Sequence, residues 1–363
     1  MIKIVHAADF HLDSAFASLP PEKARQRRRE SRDAVERLAN FVSARGADML
    51  LLPGDLFDSA HAFRETGEAL ARAFSGMSAR VFIAPGNHDF YAARTPYADV
   101  SWSNNVHIFK TPAIESVDIP ELNCTVYGAA FTAPDCTAEL LDGFTAPDDG
   151  RVHIMVMHGE ADASENRYNR ITRSQIGLSN LDYLALGHVH TYSGVKRVND
   201  TAYAYPGCPE GRGFDELGER GIICGSVSHA EADLDFVSFA RRKYEILSVD
   251  VSGRVPSEAM FASIPESSAA DIYRIIFTGA TDEKGVDLRA MEALLEDGFF
   301  HFELRDETSV ERGIWERAGE DSLRGLFLRR MRARFDAAAD ETQRRCVEKA
   351  VRFGLAALDD RDM

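Results

Sequence analysis

Val81-Phe82-Ile83-Ala84-Pro85-Gly86-Asn87-His88-Asp89 decides how this chain is read. Residues 81–84 have the composition of a buried strand, and the tight turn after them carries an amide, an imidazole and a carboxylate together. α/β folds place their sites at strand ends of this kind. Outward from that stretch the arrangement recurs. Asp9-Phe10-His11 follows the apolar residues 3–8, and Gly54-Asp55 follows Met49–Leu52. His158-Gly159 follows residues 152–157, and Gly187-His188-Val189-His190 follows residues 181–186.

Taken singly, several of these clusters have ordinary explanations: a surface polar pair for Asp9 and His11, a turn or helix-cap residue for Asp55, a satisfied strand-end histidine for His158. Together they form one set of Asp, Asn and His donors, which suit Mn²⁺, Fe or Zn²⁺ better than Ca²⁺ or a thiolate-loving metal. Asp9 and His11 are one residue apart, so in a strand both side chains point the same way and grip one ion. His188 and His190 repeat that spacing, with Gly187 permitting close backbone approach. A carboxylate at Asp55, directly after a buried run, is costly unless exposed or coordinated. A two-metal hydrolase needs terminal ligands on each ion, a carboxylate between them and a water as nucleophile.

The 363 residues exceed one ordinary core, and 45% hydrophobic with 28% charged residues is a globular composition. Through residue 186 strands alternate with helices (32–44, 65–74), except that 106–131 reads as short strands without helices before buried strands resume at 152–157 and 181–186. The expected architecture is α/β: a β-sandwich of two sheets packed face to face and flanked by helices, with a smaller α/β domain and a helical tail after it. Residues 244–251 are expected to close a first domain spanning 1–250, and 252–268 to be a linker. The second domain, 251–363, would contain strands at 272–277 and 299–304, a helix at 287–295, and amphipathic helices at 322–337 and 340–358. Apolar stripes on the last two helices (Leu323, Leu326, Phe327 and Met331; Val347, Val351, Leu355 and Leu358) read as core-facing rather than as a partner surface.

No apolar run approaches a membrane span, and the N-terminus enters a strand without a signal-peptide pattern. The 5 cysteines contain no C-x-x-C pair, which suits reduced thiols and a cytoplasmic location. A formal net charge of −16 argues against coating nucleic acid by bulk electrostatics. It leaves room for a nuclease whose phosphate contacts come from bound cations and local Arg clusters. Such clusters occur at residues 25–32, 241–243 and 329–334, and are read first as solvated helix faces.

The ordered set D-x-H, G-D, G-N-H-D, H and G-H-x-H resembles the calcineurin-type metallophosphoesterase superfamily, with every ligand position filled. That resemblance implies one metal held by Asp9, His11 and His190 and a second by Asn87, His158 and His188, with Asp55 bridging. It gives His88 to the scissile phosphate as the catalytic residue, and makes Asp58 and Asp89 candidates for orienting the imidazoles. Within the superfamily the chain is most similar to SbcD-like DNA-repair exonucleases and their YhaO-like bacterial branch. The similarity rests on residues 6–13, 54–58, 85–89 and 186–191, and on Tyr205-Pro206-Gly207-Cys208-Pro209-Glu210-Gly211-Arg212-Gly213-Phe214-Asp215-Glu216. Relatives whose nuclease activity defines the group often carry His where this chain and other bacterial members have Asp58.

The resemblance implies a metal-dependent phosphodiesterase acting on DNA in repair through a bridging hydroxide on two divalent ions, with Mn²⁺ expected and Fe or Zn as alternatives. It also implies DNA as a partner, an SMC-like coiled-coil ATPase of the SbcC kind, a homodimer, and a C-terminal domain that caps the site. Two other readings stand beside it. One is a small-molecule phosphodiesterase or phosphomonoesterase, and the other a DNA-end-binding scaffold with a vestigial metal site.

Overall fold

Met49–Leu52, Val152–His158 and Tyr183–Gly187 are buried along their whole length, so each is apolar on both faces, as strands covered by a layer on either side must be. In the computed structural model, which describes residues 1–165, 167–266, 268–295 and 298–359, these strands are central members of two six-stranded mixed sheets. The first runs in the order Glu231–Ser238, Gly221–Ser228, Ile2–His6, Met49–Leu52, Arg80–Ile83, Val106–Ile108, and its last four strands are parallel. The second runs Lys196–Val198, Thr201–Ala204, Tyr183–Gly187, Val152–His158, Cys124–Ala129, Glu115–Ile119, with four parallel strands between two antiparallel edges.

Strand periodicity sorts the side chains into layers. Leu50 and Leu52 face outward onto Ala34, Val35, Leu38 and Val42 of the Pro21–Arg45 helix and onto Leu70 and Phe74 of the Arg64–Ser75 helix. Met49 and Leu51 face inward, where they join Ile4 and Phe82 against Val126, Ile154, Val156, Tyr183 and Ala185 of the second sheet. Met155, Met157, Leu184 and Leu186 close the outer face of that second sheet with Ile176 and Leu141. The face-to-face sandwich expected from the strand composition is therefore present.

The Pro21–Arg45 helix begins well before residue 32 and takes in the first Arg cluster. Arg27 lies on its buried face and is fully inaccessible, pairing with Glu30 (2.7 Å) and Glu210 (3.0 Å). The solvated-face reading fails at that residue, because a buried guanidinium is tolerable when carboxylates flank it.

The chain divides into two compact units, Met1–Lys243 and Tyr244–Met363. Tyr244–Asp250, expected to close the first domain, instead pairs in parallel with Ile272–Thr278, which pairs in parallel with His301–Asp306. Parallel neighbours need crossover connections, and the expected linker supplies one. Pro256–Ser263 is a helix whose Ala259 and Met260 enter the core of this second unit; Ser267, within the same expected linker, lies outside the described residues. Eight residues give too short a window for helical periodicity to show. The tail helices, Leu323–Asp336 and Glu341–Leu358, are capped by Ser322 and Asp340, whose side chains accept from Gly325 and Gln343 N–H. Their stripes are only partly core-facing. Met331, Val351 and Leu355 are buried with Leu328, whereas Leu323, Leu326 and Leu358 are exposed. Among the described residues no helix is long and apolar enough to cross a membrane.

At one point the two sheets of the first unit all but touch. A Cβ on Gly187 would lie 1.9 Å from the Pro53 carbonyl oxygen and 3.1 Å from His158 Nδ1. Gly187→Ala is therefore expected to destabilise the protein by about 1–3 kcal/mol, measured by denaturant unfolding, and to lower its metal content. Gly46→Ala, at a helix end with φ of +57° and open space around it, should cost about 1 kcal/mol and leave metal content unchanged.

Candidate metal centre

Past the strands Ile2–His6 and Met49–Leu52 the two backbones stay paired. Asp9 N–H donates to Gly54 O (3.1 Å), His11 N–H to Asp55 O (2.9 Å), and Asp58 N–H returns to Leu12 O (3.0 Å). Holding the side chains inward forces left-handed backbone on non-glycine residues: φ is +55° at Asp9, +43° at His11, +50° at Asp55 and +110° at His188. Such conformations persist only where the surroundings over-determine them. Asp89 supplies much of that constraint for the Asp55 turn. Its buried carboxylate accepts from the N–H groups of Gly86 (2.7 Å), Asp55 (3.2 Å), Leu56 (2.7 Å) and Phe57 (3.3 Å), and from the Tyr97 hydroxyl (2.5 Å). The expectation that Asp89 orients an imidazole is corrected: it ties the loop after Met49–Leu52 to the loop after Arg80–Ile83. Asp58 does face an imidazole, with Oδ1 3.2 Å from His11 Nδ1.

The donors converge in two groups. His11 Nε2 and His190 Nε2 are 3.1 Å apart, and Asp9 completes a set whose donor atoms lie within 4.8 Å of one another. Asn87 Oδ1 stands 2.9 Å from His158 Nε2 and 3.2 Å from His188 Nδ1. Asp55 Oδ2 sits between the groups, 3.7 Å from His11 Nε2 and 3.6 Å from His158 Nε2. Asp9, Asp55 and His158 form another close set, as do His11, Asp58 and His88. His88 is exposed at the mouth; its N–H donates to Asp55 Oδ1 (2.9 Å) and its Nδ1 lies 3.3 Å from Asp58 O. All the residues singled out from the sequence thus meet in one place.

Burial dominates the electrostatics. It pushes the Asp55 carboxyl up to about 6, and it raises Asp9 well above the usual carboxylate range, helped by the charge of Asp55 beside it. It also pushes the imidazoles down, His158 to about 4 and His188 to about 3, with His11 well below its ordinary value. Imidazoles kept neutral around two carboxylates that are costly to ionise alone make a donor set that fits divalent cations, since the charge of a cation offsets the cost of those carboxylates.

Two residues at the centre carried no assignment from sequence. Arg212 reaches Asp58 (3.3 Å) and Glu216 (2.7 Å), and Glu216 reaches His190 Nδ1 (2.8 Å). Burial alone would raise the Glu216 carboxyl, but hydrogen bonds from His190 and Arg212 outweigh it and hold the group down, to about 2. Both lie in the stretch 205–216 that carries part of the family resemblance, but a glycine-rich segment has no periodicity to say where its side chains point.

Comparisons with known proteins bear on the same residues. A family model described as calcineurin-like phosphoesterase matches residues 2–192. Over 338 residues the chain is 26% identical to the uncharacterized metallophosphoesterase YhaO of Bacillus subtilis (strain 168), covering 86% of this chain and 80% of that protein. It is 24% identical over 274 residues to the DNA double-strand break repair protein Mre11 of Methanopyrus kandleri, covering 69% of this chain and 58% of that protein. With the D subunit of the nuclease SbcCD from Bacillus subtilis (strain 168) it shares 22% identity over 256 residues, 60% of this chain and 64% of that one.

Metal content read by atomic emission after dialysis should fall further in Asp55→Asn than in Asp58→Asn, because Asp55 lies between the two donor groups and Asp58 behind one; equal losses would contradict this placement. A pH dependence follows from Asp55. Its folded value of about 6 exceeds the ordinary aspartate value of 3.8, so the metal-free fold binds this proton more tightly than the unfolded chain does. The stabilisation that proton gives is complete below the unfolded value and is lost as pH rises through about 6. Cations need the ionised carboxylate, so Mn²⁺ should raise the melting temperature more at about pH 7.5 than at about pH 5. An Mn²⁺-induced shift independent of pH would contradict it.

Proposed function

The chain belongs to the calcineurin-like phosphoesterase family, and from that premise we propose that it is a metal-dependent phosphodiesterase acting on DNA. The observation that carries the chemistry is the convergence of Asp9, His11, Asp55, Asn87, His158, His188 and His190 behind an exposed His88. In this reading Asp9, His11 and His190 would hold one divalent ion and Asn87, His158 and His188 a second, with the Asp55 carboxylate placed to serve both. Mn²⁺ is the proposed metal, and Fe or Zn²⁺ would suit the same donors. Bound there, such ions supply positive charge for the phosphoryl oxygens and lower the pKa of a water at the site.

The residues of the chain do the remaining work. Asp55 holds the His88 backbone through Oδ1 while Oδ2 faces the ligands, so the position of His88 is fixed relative to the metal donors. With Nδ1 beside the Asp58 carbonyl, the His88 ring is steadied at the mouth, where it can bind a phosphate oxygen and pass a proton to the departing oxygen. Asp89 keeps the Asp55 and His88 loops in register, and the imidazoles of His11, His158 and His188, held neutral by burial, present lone pairs instead of competing as cations.

DNA as substrate is supported by the names of the Mre11 and SbcCD relatives and by the flanking similarity to them. The SbcCD name also supports a partner of the SbcC kind. Purified protein with Mn²⁺ should degrade labelled duplex or single-stranded DNA and hydrolyse bis-p-nitrophenyl phosphate. His88→Ala should lose about 100- to 10,000-fold in rate while keeping its metal. Rapid turnover of p-nitrophenyl phosphate with DNA left intact would make it a phosphomonoesterase instead. Binding to DNA ends without turnover, across several metals, would make it a scaffold.

A further inference from the structure

Arg212 has no part in the chemistry above, yet it stands against one half of the centre and not the other. Its side chain is 20% exposed, and its two terminal nitrogens part company. Nη1 donates to Asp58 Oδ1 (3.3 Å), and Nη2 donates to Glu216 Oε1 (2.7 Å). Each of those oxygens also faces an imidazole: Asp58 Oδ1 is 3.2 Å from His11 Nδ1, and Glu216 Oε1 is 2.8 Å from His190 Nδ1. The 3.1 Å separation of Arg212 Nη2 from His190 Nδ1 is the distance between two donors sharing one acceptor.

This arrangement fixes both tautomers. A carboxylate has no proton to give, so each Nδ1 carries the hydrogen and each Nε2 is left with a lone pair. Those two Nε2 atoms are the ones that meet at 3.1 Å. The His158 half is supported differently, with His158 Nδ1–H donating to the uncharged Pro53 carbonyl (2.9 Å). Arg212 is itself held from behind. Glu210, buried two residues earlier, accepts from Arg27, Arg37 and the Arg241 N–H, and Arg27 also donates to Gly211 O.

We propose that Arg212 is the positioning residue of the Asp9–His11–His190 ion. One guanidinium spans two carboxylates, each carboxylate aims one imidazole, and this makes that position the tighter of the two. The inference rests on the two-ion reading given above. Carboxylate support raises imidazole basicity in a way that a neutral carbonyl cannot match. Lysine would not replace Arg212, because a single ammonium lacks the fork that reaches both carboxylates.

The test is calorimetric titration of the metal-stripped full chain with Mn²⁺, with metal content read independently. The parent should bind two ions of unequal affinity. Arg212→Lys should weaken the tighter one by about 10- to 100-fold and leave the other unchanged. The effect should persist in a His158→Ala background, where the other position is disabled, and vanish in His190→Ala. Glu216→Gln, which keeps the shape and removes the charge, should reproduce the selective loss and covers the case in which Arg212→Lys does not fold. Equal weakening of both ions, no weakening, or a loss that survives in His190→Ala overturns this inference alone. A parent that binds fewer than two ions overturns the two-ion reading and this inference with it.

Discussion

The centre depends on how closely Gly187 of one sheet approaches Pro53 at the end of a strand of the other. Stacked sheets ordinarily lie about 10 Å apart, a spacing set by the side chains between them. Ligands to one ion must come within about 2 Å of it, so donors from two sheets can share an ion only where the sheets converge. Gly187 allows this by lacking the atom that would strike the Pro53 carbonyl, and that carbonyl then accepts from His158 Nδ1. Gly54 and Gly86 serve the same crowding on the first sheet, where an added Cβ would meet His158 at 2.7 and 2.8 Å.

Once the edges meet, the problem is charge. Asp9 and Asp55 are buried within a few ångströms of several imidazoles, and the left-handed backbone at Asp9, His11, Asp55 and His188 stores strain there. Hydrogen bonding divides the acidic residues by task. Asp89 faces backbone N–H groups and holds turns; Asp58 and Glu216 face imidazole Nδ1 atoms and set their direction. Nothing in an aspartate's identity separates these jobs. What it faces does.

The sandwich was legible because buried parallel strands are apolar on both faces, and residues 49–52, 152–158 and 183–187 say so without help from their neighbours. The candidate metal donors were legible because each follows such a strand in a short, recognisable cluster. The second unit was read less well. Tyr244–Asp250 looks like any edge strand, and only its pairing with Ile272–Thr278 assigns it to the later unit. Pro256–Ser263 is too short for its periodicity to announce a helix. Arg27 reads as one member of a charged run, yet it is the member that turns inward to Glu30 and Glu210.

By itself the sequence determined which residues can bind cations and that they would arrive at strand ends, since residue type and strand composition are local properties. Only the tertiary structure decided which carboxylate supports which imidazole. It turned Asp89 from an imidazole partner into a backbone clamp, and it brought in Arg212 and Glu216 from a loop far along the chain. The physical reason is that hydrogen bonds over a few ångströms depend on where separate loops come to rest. That is fixed by the packing of the two sheets and by the buried Arg27–Glu210 pair, not by any spacing along the chain.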